Sequence, residues 1–357
     1  MGLKLLHSAD WHLDSPFAGF SEEQRALLKQ EQRKIPGKIA DLCRRENCDL
    51  VLLAGDLFDG EASRETLDIM KDGLANCGVP VLIAPGNHDF CAPGSPWLEE
   101  RWPKNVFIFT GGLESVAIMG LDCRVYGAGY QSMDCPGLLE GFQAEGDEKY
   151  SIAVLHGDPT QVTSPYCPVT ANQVRQSGLH YLALGHIHKT GSLRAGQTLC
   201  AWPGCPMGRG FDEQDAKGAL VVTLEETAGT AFVPLDTPRF FDHETPPGID
   251  PHATLAALLP ALADENFYRV TFTGESPALN LPALQSAFAQ FPNLELRDRT
   301  VPERDIWGSA DADTLEGVYF RLLKDAMRDA DEKTCEILTL AARISRQILD
   351  GQEVRLP

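Results

Sequence analysis

Short apolar runs punctuate the first half of the chain at residues 3–8, 50–54, 79–84, 151–155 and 181–184. They are rich in Leu, Val and Ile and too uniformly apolar for a half-solvated strand, so each predicts a strand buried on both faces. Between them the spacing lengthens. Residues 24–47 place Leu27, Leu28, Ile35, Ile39, Leu42 and Cys43 on a partly periodic face, and Pro36 inside the run predicts two helices or a kinked one. Residues 64–76 form another helical pattern, closed by Gly78 and Pro80 ahead of the next strand. From 105 to 130 the texture is short β-rich runs, 106–109, 115–119 and 123–126, separated by Gly111-Gly112 and Gly120-Leu121-Asp122, which read as hairpin signals. Further strands are expected at 198–202, 218–224 and 231–235.

After Pro238 the pattern resets. Residues 240–251, with Pro246, Pro247, Gly248 and Pro251 and few apolar side chains, read as a linker. A helix at 252–263, a strand at 268–273, a helix at 281–291 and a strand at 294–299 follow. Residues 312–328 and 331–349 then predict a helical hairpin whose apolar stripe is Leu315, Val318, Tyr319, Leu322 and Leu323. The expected fold class is α/β: two mixed β-sheets packed as a sandwich flanked by α-helices over residues 1–239, a small α+β cap over 240–310, and the helical hairpin over 311–357.

The polar positions cluster where the buried strands end. The five runs are followed by Asp10-Trp11-His12, Gly55-Asp56, Gly86-Asn87-His88-Asp89, His156-Gly157 and Gly185-His186-Ile187-His188, which hold five of the nine histidines. Loops at strand carboxyl ends are where an α/β sheet builds its site, so these loops are expected along one sheet edge. A lone Asp-x-His or Gly-Asp is a common accident. The full set is another matter, because buried imidazoles and carboxylates left unused would carry a large desolvation cost. Two divalent ions about 3.5–4 Å apart can clamp a phosphate, acidify a water between them and stabilise both attacking and leaving oxygens, provided one carboxylate bridges them. Imidazole and carboxylate ligands without thiolate suit manganese, iron or zinc better than calcium. His7, His180, His243 and His252 are read as core or surface residues, and Asp59 either touches the site or starts the next helix.

Composition changes this picture in two places. With 357 residues, 43% apolar, 32 Gly and 24 Pro, the chain has the profile of an ordinary globular protein of more than one domain. No run approaches the roughly 20 apolar residues needed to cross a bilayer, so no membrane association is expected. The first six residues leave no room for a signal peptide, and the ten cysteines include no C-x-x-C pair, which together suggest reduced thiols in a cytoplasm. Net charge is the awkward term. At −20 the chain is acidic throughout, with 20 basic against 31 acidic residues up to Arg239 and 11 against 20 beyond it. Nucleic-acid binders are usually basic, so a DNA substrate would need help from a partner or a local basic patch.

In their order, the five signatures resemble the calcineurin-like metallophosphoesterase superfamily over residues 1–239. Ser8-Ala9-Asp10-Trp11-His12-Leu13-Asp14, Gly55-Asp56-Leu57-Phe58-Asp59, Trp202-Pro203-Gly204, Phe211-Asp212-Glu213 and Lys217-Gly218 are similar to its DNA-repair exonuclease branch, the SbcD- and YhaO-like proteins. The resemblance implies a manganese-dependent nuclease with a cap over the DNA groove, often partnered by an SMC-like ABC ATPase; a homodimer is left open. It implies Asp10, His12 and His188 on a first ion, Asn87, His156 and His186 on a second, and Asp56 bridging both. His88 is then left for acid chemistry at the leaving oxygen, with Asp89 beside it to orient the ring and favour its charged form. One departure stands out: Asp59 occupies a position where archaeal and eukaryotic relatives carry His, in agreement with the bacterial branch. Two other functions fit the same core: a small-molecule phosphodiesterase or phosphatase, favoured by the acidic composition, and a non-catalytic scaffold recruiting an ATPase to DNA, disfavoured by the intact ligands.

Overall fold

In a computed structural model, residues 2–262, 265–302 and 305–351 are described. Two six-stranded sheets dominate. The first runs in the order β12 (Ala228–Pro234), β11 (Gly218–Leu224), β1 (Leu3–Ser8), β2 (Leu50–Leu53), β3 (Val81–Ile83), β4 (Val106–Ile108). The second runs β5 (Glu114–Ile118), β6 (Cys123–Gly127), β7 (Tyr150–His156), β8 (Tyr181–Gly185), β10 (Thr198–Trp202), β9 (Gly191–Ala195). Both are mixed: β1 to β4 run parallel, β11 is antiparallel to β1 and β12 antiparallel to β11, and β6, β7, β8 and β10 run parallel between antiparallel edge strands.

Strand periodicity explains the layering. On β1, Leu3 and Leu5 face the second sheet and join Leu52, Ile152, Val154 and Tyr181 in an apolar interlayer, while Leu6 points the other way into the helices. On the outer face, α1 (Glu22–Arg33), α2 (Ile35–Arg45) and α3 (Arg64–Asn76) bury Leu28, Ile39 and Met70 against Val51 and Ile83. Across the second sheet, α5 (Ala171–Gln176) seals Val174 onto Leu155 and Leu182. The short α4 (Pro96–Glu99) carries the buried Trp97. Of the two arrangements expected around Pro36 the structure takes two helices, with the break at Lys34, because Pro36 is tolerated in the first turn of a new helix, where its missing N–H costs nothing.

Other expectations need correcting. The motif strands do not share a sheet, since β1, β2 and β3 lie in the first and β7 and β8 in the second. The 105–130 region is not a run of hairpins: β4 pairs parallel to β3, Gly111-Gly112 carries the chain across to the other sheet, and only β5 and β6 form a hairpin. The stretch read as a linker opens with β13 (Phe240–Thr245), because Phe240 is fully buried and stacks on Phe267 at 4.9 Å between centroids. The edge strand β9 had no apolar run to betray it. All ten cysteines are free.

The chain divides into two compact units: Met1–His243 with Ala261–Arg269 and Ala289–Glu295, and Glu244–Pro260 with Val270–Phe288 and Leu296–Pro357. Strands β13, β14 (Phe267–Ser276) and β15 (Leu294–Pro302) form a three-stranded sheet in that order. Helix α6 (Pro251–Leu258) is shorter than expected, and its expected end at Ala263 lies outside the described residues; α7 is Leu281–Ala287. Helices α8 (Leu315–Ala326) and α9 (Glu332–Leu349) pack Phe320 and Leu323 around Ala342, with the Arg346 guanidinium 4.4 Å over the Phe320 ring. The remainder of the α8 stripe, Leu315, Val318, Tyr319 and Leu322, is exposed. No helix among the described residues is long and apolar enough to cross a membrane.

Candidate metal centre

Hydrogen bonding between β1 and β2 continues past the ends of the strands. Asp10 N–H donates to the Gly55 carbonyl, His12 N–H to that of Asp56 and Leu13 N–H to that of Leu57, each at 2.9 Å. Within this zipped pair of loops Asp10, His12 and Asp56 take φ of 54°, 46° and 51°. Such left-handed backbone costs an L residue about 1–2 kcal/mol and persists where the surroundings over-determine it. Here Trp11 donates its indole N–H to Ser8 Oγ at 2.9 Å, and the Gln32 amide donates to the His12 carbonyl at 2.7 Å. From the other sheet, His156 at the end of β7 donates Nδ1–H to the Ala54 carbonyl at 2.9 Å, and His186 N–H reaches both Asp10 carboxylate oxygens at 3.0 and 3.1 Å. The carboxyl ends of both sheets therefore meet at one place. Gly86 permits the approach: a Cβ there would lie 2.3 Å from Asp56 Oδ1.

The side chains converge closely. His12 Nε2 is 3.1 Å from His188 Nε2 and 3.8 Å from Asp56 Oδ2. His156 Nε2 is 3.0 Å from Asn87 Oδ1 and 3.3 Å from Asp56 Oδ2. Ligand atoms of Asp10, His12 and His188 lie within 4.8 Å of one another, as do those of Asp10, Asp56 and His156. Asp56 thus faces both halves. Among the described residues His186 joins no such group; its ring meets that of His156 edge-on at 5.2 Å between centroids and lies tilted against that of Tyr166 at 4.8 Å.

The donor set fits divalent cations. Glu213 Oε1 accepts from His188 Nδ1 at 2.6 Å, and the Ala54 carbonyl accepts from His156 Nδ1, so both rings turn Nε2 inward. Outer partners of this kind fix the tautomer of a metal-binding imidazole. Burial works against a charged His156, yet the neighbouring Asp56 pushes it up to about 9. That demand for positive charge is one a metal ion meets by displacing the proton. Burial likewise opposes ionisation of Asp56, but His156 and His12 hold it well below the usual carboxylate range.

Asp89 does not orient His88. It is buried, and it accepts backbone N–H groups from Gly86 at 2.7 Å and from Leu57 and Phe58 at 2.8 and 3.4 Å, clasping the two loops together. Burial, then the charge on Asp56, push it up to about 7. The partner of His88 is Asp59, whose Oδ1 lies 2.9 Å from Nδ1. The His12 and His88 rings hold Asp59 far below its ordinary range, and Asp59 in turn raises His88. Asp89 follows His88 in sequence, but successive side chains diverge, and only the fold brings Asp59 to the ring. Two further residues were not identified from sequence. Glu213 lay inside a quoted signature without a role, and Arg209, between two glycines, gave no signal at all.

Residues 3–190 match the calcineurin-like phosphoesterase family, and the chain belongs to it. It is 35% identical over 238 residues to the metallophosphoesterase YhaO of Bacillus subtilis, a match covering 62% of this chain and 57% of that one. A second relative, the SbcD component of the SbcCD nuclease of Staphylococcus epidermidis, is 29% identical over 279 residues, covering 65% of this chain and 70% of the relative. Among solved structures, a dimetal phosphatase from Danio rerio aligns at 13% identity and TM-score 0.44 over 64% of this chain and 98% of that one.

Proposed function

We propose that the chain is a two-metal phosphodiesterase that cuts DNA, with manganese as its working metal. The observation that carries this is the convergence of Asp10, His12, Asp56, Asn87, His156 and His188 from both sheets with His88 alongside. Asp10, His12 and His188 would hold one ion, Asn87, His156 and His186 the other, and Asp56 both. Bound there, the ions would supply Lewis acidity and an activated water. The chain's own residues do the rest. Asp59 raises His88 and so favours its charged form, from which His88 would hand a proton to the leaving oxygen. The resemblance to a nuclease component supports DNA as substrate and an SMC-like ABC ATPase as partner. The net charge of −20 favours the rival reading, a small-molecule phosphodiesterase. Incubating manganese-loaded protein with linear double-stranded DNA, single-stranded DNA and small phosphodiesters side by side separates the two. Nuclease activity should dominate at low salt, because a chain this acidic has little long-range attraction for phosphates. Turnover of the small diesters with intact DNA would overturn the nuclease.

A further inference from the structure

Arg209 lies on the loop joining β10 to β11, and its backbone N–H donates to Glu213 Oε2 at 2.9 Å. Its guanidinium stands at the rim of the metal centre. Nη1 is 3.9 Å from Asp59 Oδ2, and Nη2 is 3.7 Å from Glu213 Oε1 and 3.3 Å from His188 Nδ1. None of these uses the fork well. Glu213 Oε1, a carboxylate oxygen, already takes the His188 Nδ1 proton at 2.6 Å, so that nitrogen has no lone pair to offer Arg209. Asp59 is similarly engaged, by His88 at 2.9 Å and by the Ser15 hydroxyl at 3.0 Å. Both carboxylates therefore hold the guanidinium at ion-pair range while spending their hydrogen bonds elsewhere, and its Nε is buried with no acceptor. The side chain keeps 28% of its surface exposed. The nearby Lys217 is differently placed: its ammonium is engaged by the His188 carbonyl at 3.2 Å, and the residue is buried.

A planar guanidinium, oriented but not satisfied, beside His12, His88 and a set of metal ligands, matches two oxygens of a tetrahedral oxyanion. We propose that Arg209 is a substrate-binding residue, gripping the non-bridging oxygens of the phosphate that the centre acts on. The proposal rests on the phosphoesterase reading of the site and deepens it. Arg209 also puts positive charge beside the centre of a chain whose net charge is −20. The other role open to Arg209 is to brace His188 through Glu213, and the two roles make different demands.

Inorganic phosphate is the probe. Calorimetric titration of phosphate into manganese-loaded protein should show affinity reduced about 10–100-fold in Arg209→Ala, the loss expected for charge-assisted hydrogen bonds, with manganese content by elemental analysis unchanged. Arg209→Lys should recover only part of it, because an ammonium lacks the fork. The KM for bis-para-nitrophenyl phosphate should rise in step while kcat falls less. Equal phosphate affinity in wild type and both variants would overturn the proposal, and so would loss of manganese in both, which would make Arg209 a brace. Phosphate titration needs no turnover, so a wild type that binds phosphate through Arg209 but leaves DNA uncut refutes the nuclease alone.

Discussion

Asp56 lies between the two halves of the centre, 3.3 Å from His156 on one side and 3.8 Å from His12 on the other, the position a bridging ligand would take. Asp56→Ala should therefore strip both ions, whereas Asp10→Ala should weaken mainly one; elemental analysis after manganese loading distinguishes two, one and none. His88 makes a different demand. Its ring is half-exposed and tied to Asp59, so His88→Ala should keep both metals and DNA binding while slowing cleavage about 10²–10⁴-fold. An unchanged rate would remove it from the mechanism, and coupled loss of metal would make it structural. The candidate side chains could be picked out in sequence because each follows a buried strand and the combination is rare, and the structure brings Asp10, His12, Asp56, Asn87, His156 and His188 together. What sequence could not give is who holds whom. Asp59, Glu213 and Arg209 reach the centre from loops whose local pattern says nothing of direction, and Asp89, which looked like the natural partner of His88, spends its oxygens on backbone N–H groups instead.

At the scale of elements, regular periodicity was readable and exceptions were not. Helix α3 shows both sides: its span follows from spacing and from the Gly78 and Pro80 stop, yet nothing local explains Gly73 in its interior. The reason is packing. A Cβ on Gly73 would sit 2.5 Å from Pro36 Cβ and 2.8 Å from the Pro36 carbonyl carbon, so the proline that opens α2 also forces α3 to present bare backbone. Alanine favours helix by about 1 kcal/mol over glycine, but Gly73→Ala should still lower stability by about 1–3 kcal/mol through overpacking. A urea midpoint that rises would refute the close contact. The interlayer makes a second claim. His7 on β1, read from sequence as core or surface, is fully buried with Nδ1 2.8 Å from the Tyr181 hydroxyl of β8. Burial pushes it down to about 3. The unfolded chain therefore binds a proton near pH 6.5 that the folded one refuses, so the stability this residue contributes is complete above about pH 6.5 and falls by up to about 1.4 kcal/mol per unit towards pH 3. His7→Leu should flatten that acid limb in pH-dependent unfolding, even if losing the Tyr181 contact lowers stability at every pH.

If DNA is the substrate, then at the scale of the whole molecule an acidic chain has to meet a polyanion. Two divalent ions and Arg209 would return positive charge to the centre itself, but a duplex would span far beyond it, and screening confines their reach to about 8–10 Å at ordinary salt. A partner that grips DNA would resolve the mismatch. Helix α8 offers a place for one: Leu315, Val318, Tyr319 and Leu322 recur at helical spacing and are 88%, 43%, 39% and 65% exposed, while Phe320 and Leu323 on the neighbouring face pack against α9. The stripe seen in sequence thus separates into a face that closes the hairpin, joined by the Tyr319 hydroxyl 2.7 Å from Ser345 Oγ, and an exposed face of Leu315, Val318 and Leu322 that periodicity alone had no means of telling apart. Exposed apolar rows of this kind mark interaction surfaces more often than ordinary solvent faces. If α8 docks a coiled-coil ATPase, deleting residues 312–357 should leave metal content and aryl-phosphodiester turnover intact while abolishing co-purification with that ATPase from the same cell. Because deletion also removes Phe320 from its own small core, the replacement of Val318 and Leu322 by Ser supplies a gentler version that keeps the hairpin packed. Retained association in that double variant would place the partner elsewhere, and an insoluble truncation beside a soluble, still-binding double variant would assign the hairpin a packing role.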